Sequence, residues 1–198
     1  MEILTMGTTR RHMKILDVFT AFFVNKQEEE PDLQTAREQI ALVENGRELI
    51  DLSELTVLGL QEVKNKMGEL DHTYPDFMIF KENPVLMNNT ESRYAGIPDL
   101  IIEVWSKTNH ESEREQKRAL YCTNKSEFWE IEQNSPIINC WNKEGQMYQQ
   151  QMDAEVKTPW GELINLTSLA KDVADVPNDR FHGGSSTGKK IDLSKFKK

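Results

Sequence analysis

Two carboxylates stand in apolar stretches where a charge is costly. Glu103 interrupts the apolar run of residues 100–105, and Asp76 follows Pro75 and opens the apolar run of residues 77–80. A buried carboxylate destabilises a protein unless it is paired, hydrogen-bonded or bound to a metal. Hard divalent cations such as Mg²⁺ prefer carboxylate oxygens. If the two runs are neighbouring strands, a strand-start and a mid-strand carboxylate can hold one divalent cation.

The elements that must position these carboxylates are predicted from local pattern. Each apolar run follows a Pro-Asp pair, Pro75-Asp76 and Pro98-Asp99, and proline is tolerated at the first residue of a strand. Short apolar runs with such boundaries predict buried strands. After the second strand, residues 112–121 are rich in good helix formers and predict a helix. Lys117 and Tyr121 lie four residues apart and therefore share one face of that helix.

A second helix is predicted from about Arg10 to Val24, because apolar residues recur there at helical spacing. A basic cluster, Arg10, Arg11, His12 and Lys14, lies near its start. Cations at a helix N-terminus oppose the helix dipole. The cluster is therefore either a solvated surface, which is the usual role of a charge run, or a binding site for an anionic partner.

The remaining predictions are less strongly patterned. We expect an acidic loop over 25–34, a short helix over 33–43, a strand or irregular pair over 49–60, and a strand over 61–67. Further strands are predicted over 127–132, 137–142, 146–151 and 158–166, and a last helix over 167–174.

Residues 1–177 form a single predicted domain, and residues 178–198 form a Gly/Ser/Lys-rich basic tail that we expect to be disordered. The tail contains a near phosphate-loop motif, Gly183 to Lys189, but no strand precedes it and Lys190 replaces the required Ser or Thr.

The composition narrows the class of protein. The chain has 198 residues, 37% of them hydrophobic, and a net charge of −9, which argues against a broadly basic nucleic-acid surface. A local basic path beside a bound metal is compatible with this charge. Cys122 and Cys140 lack CxxC spacing, which argues against a zinc site. With no signal peptide and no membrane-length apolar run, we expect a cytoplasmic protein with reduced thiols and no membrane partner.

The order of these motifs resembles the Uma-two family of restriction endonucleases, within the PD-(D/E)XK nuclease superfamily. Two Pro-Asp strands are followed by the helix with Lys117 and Tyr121 and then by Glu127-Phe128-Trp129. The resemblance is good from Tyr74 to Glu132. It implies an α/β fold with a restriction-endonuclease-like core, in which helices flank a central mixed β-sheet. It also implies hydrolysis of DNA phosphodiester bonds with Mg²⁺ or Mn²⁺ as the cofactor.

The resemblance assigns roles to particular residues. Asp76 fills the position of the superfamily's motif aspartate, and Glu103 fills the acidic position of the next strand. The superfamily usually has a lysine two residues later, where this chain has Trp105, but the family places its lysine on the following helix, where Lys117 stands. The implied metal ligands are Asp76, Glu103 and the backbone carbonyl of Val104. The implied catalytic residues are Asp76, Glu103 and Lys117.

Other residues have supporting roles in this interpretation. Asp99, His12 and Tyr121 would support the site, and Arg114 and Arg118 would contact DNA phosphates, which usually supply nucleic-acid affinity. The chain also departs from the family pattern. The acidic residue expected on the first helix is missing, with His12 near that place, and the segment before Glu127 is one residue shorter and lacks glycine.

Alternatives remain open from the sequence. Asp76 could cap backbone N–H groups at a strand start, and Glu103 could form an ion pair with Lys117 without any metal. The chain would then be a non-catalytic member of the same fold that binds nucleic acid or protein, which the acidic net charge favours. Restriction nucleases often act as dimers because two strands must be cut, so the resemblance also leaves a homodimer open.

Overall fold

A six-stranded mixed sheet forms the centre of the protein. The computed structural model describes residues 10–44, 48–52, 55–66, 70–81, 86–88, 93–122 and 125–170. The helices and strands are, in chain order, α1 (Arg10–Glu29), β1 (Gln34–Arg37), β2 (Ile40–Glu44), β3 (Glu48–Leu49), α2 (Val57–Lys66), β4 (Asp71–Thr73), β5 (Phe77–Phe80), β6 (Leu86–Asn88), β7 (Arg93–Ala95), β8 (Leu100–Trp105), α3 (Glu111–Cys122), β9 (Glu127–Glu132), β10 (Ile137–Trp141), β11 (Met147–Gln151), β12 (Glu155–Lys157) and β13 (Leu163–Asn165).

The central sheet has the strand order β1-β5-β8-β9-β10-β11. Strands β8 and β9 are parallel, and every other neighbouring pair in this sheet is antiparallel. Parallel strands need a crossover connection, and α3 supplies it between β8 and β9. The crossover places α3 directly against the strand that carries Glu103.

Helices cover both faces of this sheet. Alternate residues of β8 point to opposite faces, so that Leu100, Ile102 and Val104 pack with the apolar side of α1. On the opposite face, Ile101 packs with Tyr121 of α3. We call these the α1 face and the α3 face. The expected mixed sheet flanked by helices is confirmed.

A smaller sheet of order β3-β2-β7-β6 lies beside the central one, and β4 pairs with β2. Helix α2 packs on this sheet through Leu60 and Val63, which contact a core around Leu42 and Ile50. Strand β4 leads through residues 74–76 into β5. The smaller sheet therefore fixes the chain segment that precedes Asp76.

The strongly patterned predictions are confirmed. The strands over 77–80, 100–105 and 127–132, the hairpin of β10 and β11, and the helix of Lys117 and Tyr121 all form. The edge strand predicted over 158–166 is the short β13, which pairs with β12. The last helix is a single turn over 167–170 within the described part of the chain.

Three weaker predictions are wrong. Helix α1 continues to Glu29, so the expected acidic loop over 25–34 is much shorter. The segment 33–43 forms β1 and the start of β2 instead of a helix, because β1 completes the central sheet against β5 and β2 pairs in the smaller sheet. The segment 57–66 is helix α2 and not a strand, because Leu60 and Val63, three residues apart, share one helical face and pack on the smaller sheet.

Several predictions lie outside the described residues. These are a short strand over 2–6 and a turn over 7–9, which the residue pattern also predicts, together with the disordered basic tail over 178–198 and the near phosphate-loop motif within it. Among the described helices, none has the length and apolar character that would let it cross a membrane.

Candidate active site

Glu103 is placed by the alternation of β8. Its side chain points to the α3 face, between the buried residues Ile102 and Val104 that point to the α1 face. The residue is 1% exposed. Because an unpaired carboxylate at such a position would be strongly destabilising, Glu103 requires a cation or hydrogen-bond donors at this place.

Lys117 supplies the cation. Its Nζ donates to both carboxylate oxygens of Glu103, at 2.8 and 2.9 Å, and to the backbone carbonyl of Tyr74 at 3.0 Å. An ammonium group has three donors, and these three acceptors can use all of them. The same Nζ lies 5.4 Å from the centre of the Trp105 ring, where a cation–π attraction adds to the ion pair. The lysine head is therefore held from several directions.

Asp76 lies opposite Glu103 in the sheet. The antiparallel register pairs Phe77 with Ile102, so Asp76, which immediately precedes β5, stands beside Glu103 of β8. Asp76 Oδ2 accepts the backbone N–H of Val104 at 2.7 Å, and Oδ1 lies 3.4 Å from His12 Nε2. The Asp76 carboxylate thus accepts a backbone N–H, as in the capping role that the sequence left open. It also lies close enough to Glu103 to raise the pKa of that residue.

His12 reaches this site from the first turn of α1. Burial lowers the pKa of His12, but the hydrogen bond and charge of Asp76, together with a hydrogen bond to the Val104 backbone, more than offset this and raise the pKa above its ordinary value of 6.5. The structure thus places the His12 imidazole beside Asp76. A protonated imidazole beside Asp76 would place positive charge next to a predicted metal ligand.

Tyr121 closes the inner side of the cluster. It is fully buried, and its hydroxyl lies 3.0 Å from the hydroxyl of Thr73 on β4. Burial raises the pKa of Tyr121 well above its ordinary value, and its interaction with Glu103 raises it further. The phenol is therefore neutral at physiological pH and available to donate a hydrogen bond to the Glu103 carboxylate.

The balance of burial and charge perturbs Glu103 itself. Burial raises the pKa of Glu103 to about 8, although the charge and hydrogen bonds of Lys117 act in the opposite direction. Asp76 adds to the rise because a second negative charge nearby disfavours ionisation. A carboxyl with a strongly shifted pKa, facing a lysine and a second carboxylate, is typical of catalytic sites and also occurs in structural ion-pair networks.

The arginines of α3 are engaged by carboxylates of β9. Arg118 binds Glu130 through two nitrogens, at 3.0 and 3.2 Å. Arg114 binds Glu132 and donates to the backbone carbonyl of Ser106 at 3.1 Å. The two predicted phosphate contacts therefore lie on the helix that carries Lys117, each with a protein carboxylate as its present partner.

Asp99 lies at the other end of β8, away from Glu103. Its Oδ2 accepts the backbone N–H of Lys81 at 2.8 Å, and its Oδ1 binds the Lys143 ammonium at 3.0 Å. Both carboxylate oxygens thus connect the end of β5 to the turn between β10 and β11. Asp99 therefore lies outside the group formed by Asp76, Glu103 and Lys117 and contacts neither carboxylate.

The chemistry of the donor set fits a hard divalent cation. Asp76 and Glu103 offer carboxylate oxygens and Val104 a backbone carbonyl, and oxygen donors of these kinds are preferred by Mg²⁺. Within the described residues, no group of three or more His, Cys, Asp or Glu side chains is arranged to hold a metal. A metal there would therefore depend on the two carboxylates and the carbonyl, with Glu103 shared between it and Lys117 and the Val104 carbonyl shared between it and His12.

Two contributors to the site were not predicted. Tyr74 provides a carbonyl that binds Lys117, and Thr73 provides the hydroxyl that contacts Tyr121. A carbonyl contact leaves no signal in the residue type. The position of Tyr74 next to Pro75-Asp76 was the only available indication of its place beside the site.

The fold and site define an α/β protein of the restriction-endonuclease-like class, with a mixed central sheet and an acidic pair beside a lysine. The chain belongs to the Uma2 (Uma-two) family, whose family model is described as "Putative restriction endonuclease" and matches residues 42–167. The match extends beyond Tyr74–Glu132, where the resemblance was strongest, and begins after α1 and His12.

A solved structure with a similar fold is the crystal structure of "a putative nuclease belonging to DUF820" from Anabaena variabilis. It is 14% identical in sequence, with a TM-score of 0.55, and the alignment covers 80% of this chain and 81% of that chain. At this identity the similarity establishes the fold alone. No curated protein matches the chain significantly.

Proposed function

We propose that the protein is a metal-dependent DNA endonuclease that hydrolyses phosphodiester bonds. The observation that carries this proposal is the convergence of Asp76, Glu103 and Lys117, which come from three different elements, at one end of the β5–β8 pair. Membership in the Uma2 family, whose description names restriction endonucleases, supports the same reaction class.

In this proposal Asp76, Glu103 and the Val104 carbonyl would hold Mg²⁺ or Mn²⁺. When bound, the metal supplies an acidified water and neutralises negative charge in the transition state. The raised pKa of Glu103 means that a proton competes for this ligand below about pH 8. Metal binding and deprotonation of Glu103 would therefore be coupled.

The protein groups have separate roles. Lys117 would stabilise negative charge on the phosphate, from a position fixed by the Tyr74 carbonyl and the Trp105 ring. His12 orients Asp76 through Oδ1, and Tyr121 donates a hydrogen bond to Glu103. Fixed donors of this kind need no reorganisation during the reaction.

The DNA would be held beside α3. We retain Arg114 and Arg118 as proposed phosphate contacts, with the more exposed Arg118 in the better position, since its side chain is 31% exposed and that of Arg114 is 14%. Each guanidinium has five donors, so Arg118 can bind a phosphate while it keeps Glu130.

The test is nicking of supercoiled plasmid DNA in Mg²⁺ or Mn²⁺, with Glu103→Gln compared with Glu130→Gln. Glu130 is the matched control because it lies directly across from Glu103 in the sheet, is 3% exposed and also pairs with a cation of α3. Loss of a metal ligand removes several kcal/mol of transition-state stabilisation, so Glu103→Gln should lower the rate at least about 100-fold. Glu130→Gln should keep most of the activity.

Equal activity of the two variants, or no metal-dependent nicking by the native protein, would overturn the nuclease proposal.

The products of the reaction also indicate whether the protein cuts one strand or both. Nicked circles alone indicate independent single cuts, whereas linear DNA formed at the same time indicates paired sites, as in a homodimer.

A second candidate function is supported by one observation. Both oxygens of Glu103 are bound by Lys117, which is the arrangement expected if the acidic pair is structural. The protein would then be a non-catalytic member of the fold that binds nucleic acid or protein. Thermal unfolding with and without Mn²⁺ separates the two, because a metal that binds the folded state raises its melting temperature.

A further inference from the structure

We propose that the exposed ring of Tyr74, with the ring of His72 set perpendicular against it, stacks on an unpaired nucleotide, so that the substrate of this site is single-stranded or locally opened DNA. This inference rests on the proposed function, since it names the substrate class of the same site. We call the two rings the aromatic platform.

The aromatic platform is exposed beside a buried cluster. Tyr74 is 53% exposed and His72 is also exposed. Their ring centres lie 5.3 Å apart with the planes at 88°. Residues two apart in an extended segment point to the same side, and the intervening Thr73 turns the other way, to Tyr121. The pair therefore presents aromatic surface to solvent while the residue between the rings belongs to the site.

The platform is tied directly to the catalytic candidates. The backbone carbonyl of Tyr74 binds Lys117 at 3.0 Å, and Asp76 follows two residues later. A base stacked on the Tyr74 ring would therefore lie next to the lysine and the acidic pair. Its own phosphodiester bond, or the next one along the strand, would be the nearest bond to those groups.

The charges near the site favour an unpaired strand over a duplex. Affinity for duplex DNA comes largely from cations that neutralise phosphates. Here Lys117, Arg114 and Arg118 each face a protein carboxylate, and the chain has a net charge of −9. Stacking on aromatic rings supplies affinity for single strands independently of sequence, and it requires a base that is not paired. Because each of these three cations is partly neutralised by its carboxylate partner, stacking on the exposed aromatic pair would add affinity that their phosphate contacts alone do not supply, which favours an unpaired nucleotide over an intact duplex.

The experiment is fluorescence anisotropy with a labelled single-stranded oligonucleotide and the matching duplex, in EDTA so that metal-dependent cleavage cannot consume the probe. We expect the native protein to bind the single strand more tightly than the duplex. Tyr74→Ala removes the ring and leaves the carbonyl that binds Lys117, so it should weaken single-strand binding by about 5- to 150-fold. Tyr74→Phe keeps the ring and should bind like the native protein. Leu163→Ala is the control for loss of an equally exposed apolar side chain, since Leu163 is 54% exposed and lies in a different sheet.

The outcomes separate this inference from the nuclease proposal. Equal binding of duplex and single strand, unchanged binding by Tyr74→Ala, or no binding of either oligonucleotide would overturn the platform. Plasmid nicking that is lost in Glu103→Gln would still support the nuclease in each of those cases. If both proposals are right, supercoiled plasmid, which contains locally opened DNA, should be nicked faster than relaxed plasmid, and Tyr74→Ala should reduce that difference.

Discussion

In a Lys117→Met variant, the buried Glu103 should make the folded state less stable as pH rises. The substitution removes the charge and hydrogen bonds that lower the pKa of Glu103, so this pKa rises above its native value of about 8. Glu103 is then protonated in the folded variant at pH 7, whereas the unfolded chain ionises with the ordinary pKa of 4.5. Because the folded state binds a proton that the unfolded state releases, the stability must fall as pH rises.

The size of this effect follows from the difference between pH 7 and 4.5. Each pH unit contributes about 1.4 kcal/mol, so Glu103 should cost the Lys117→Met variant about 3 kcal/mol at pH 7. The double variant Lys117→Met/Glu103→Gln lacks the titrating group and should be more stable than the single variant by this amount. The difference should shrink by about 1.4 kcal/mol per pH unit on acidification and vanish near pH 4.5.

The assay is urea unfolding of the two variants between pH 5 and 8, followed by the fluorescence of the buried residues Trp105 and Trp129. The difference between the two free energies of unfolding isolates Glu103, since all other titrating groups are shared. A difference that does not change with pH would refute the assignment of Glu103 as a buried carboxyl with a raised pKa. A double variant that is no more stable than the single one at pH 7 would do the same.

Three further outcomes are expected. At Mg²⁺ concentrations below saturation, protons compete with the metal for Glu103. The plasmid nicking rate should therefore rise about tenfold per pH unit up to about pH 8 and then level off. A flat rate profile between pH 6 and 8 would contradict this coupling. The pKa of His12, measured by NMR of its imidazole, should lie above 6.5 and should fall in Asp76→Asn. An unchanged pKa in that variant would show that Asp76 does not raise the pKa of His12. Phe19→Ala should lower the free energy of unfolding by about 3–5 kcal/mol in urea, since Phe19 is fully buried and contacts the Trp129 ring edge-on; a loss below about 1 kcal/mol would argue against the packing of α1 on the sheet.

Local sequence pattern was sufficient for the elements that carry the site. The apolar runs that follow Pro75-Asp76 and Pro98-Asp99 form strands β5 and β8. Proline is tolerated at the start of a strand but not in its middle, so each Pro-Asp pair marks where a strand begins. The helix formers after residue 110 form α3. Each of these segments has one strong local preference, and the tertiary fold agrees with it.

Segments with weaker preferences were decided by non-local contacts. Residues 33–43 contain good helix formers, yet they form β1 and the start of β2, and Glu38 between the strands has a φ of 50°, which no continuing helix can adopt. Their strand partners lie mostly in β5, β4 and β7, more than 25 residues further along the chain. Helix propensity differs by only tenths of a kcal/mol between ordinary residues, so completion of two sheets outweighs it.

The sequence by itself determined that Asp76 and Glu103 begin or interrupt buried strands and that Lys117 lies on the helix after them. These features follow from residue type and spacing over short distances. Only the tertiary structure decided that Lys117 binds both oxygens of Glu103 and the carbonyl of Tyr74, and that His12 reaches Asp76 from the first helix. Those contacts depend on the register of β5 against β8 and on how α1 and α3 dock on the sheet, which the packing of the whole core determines.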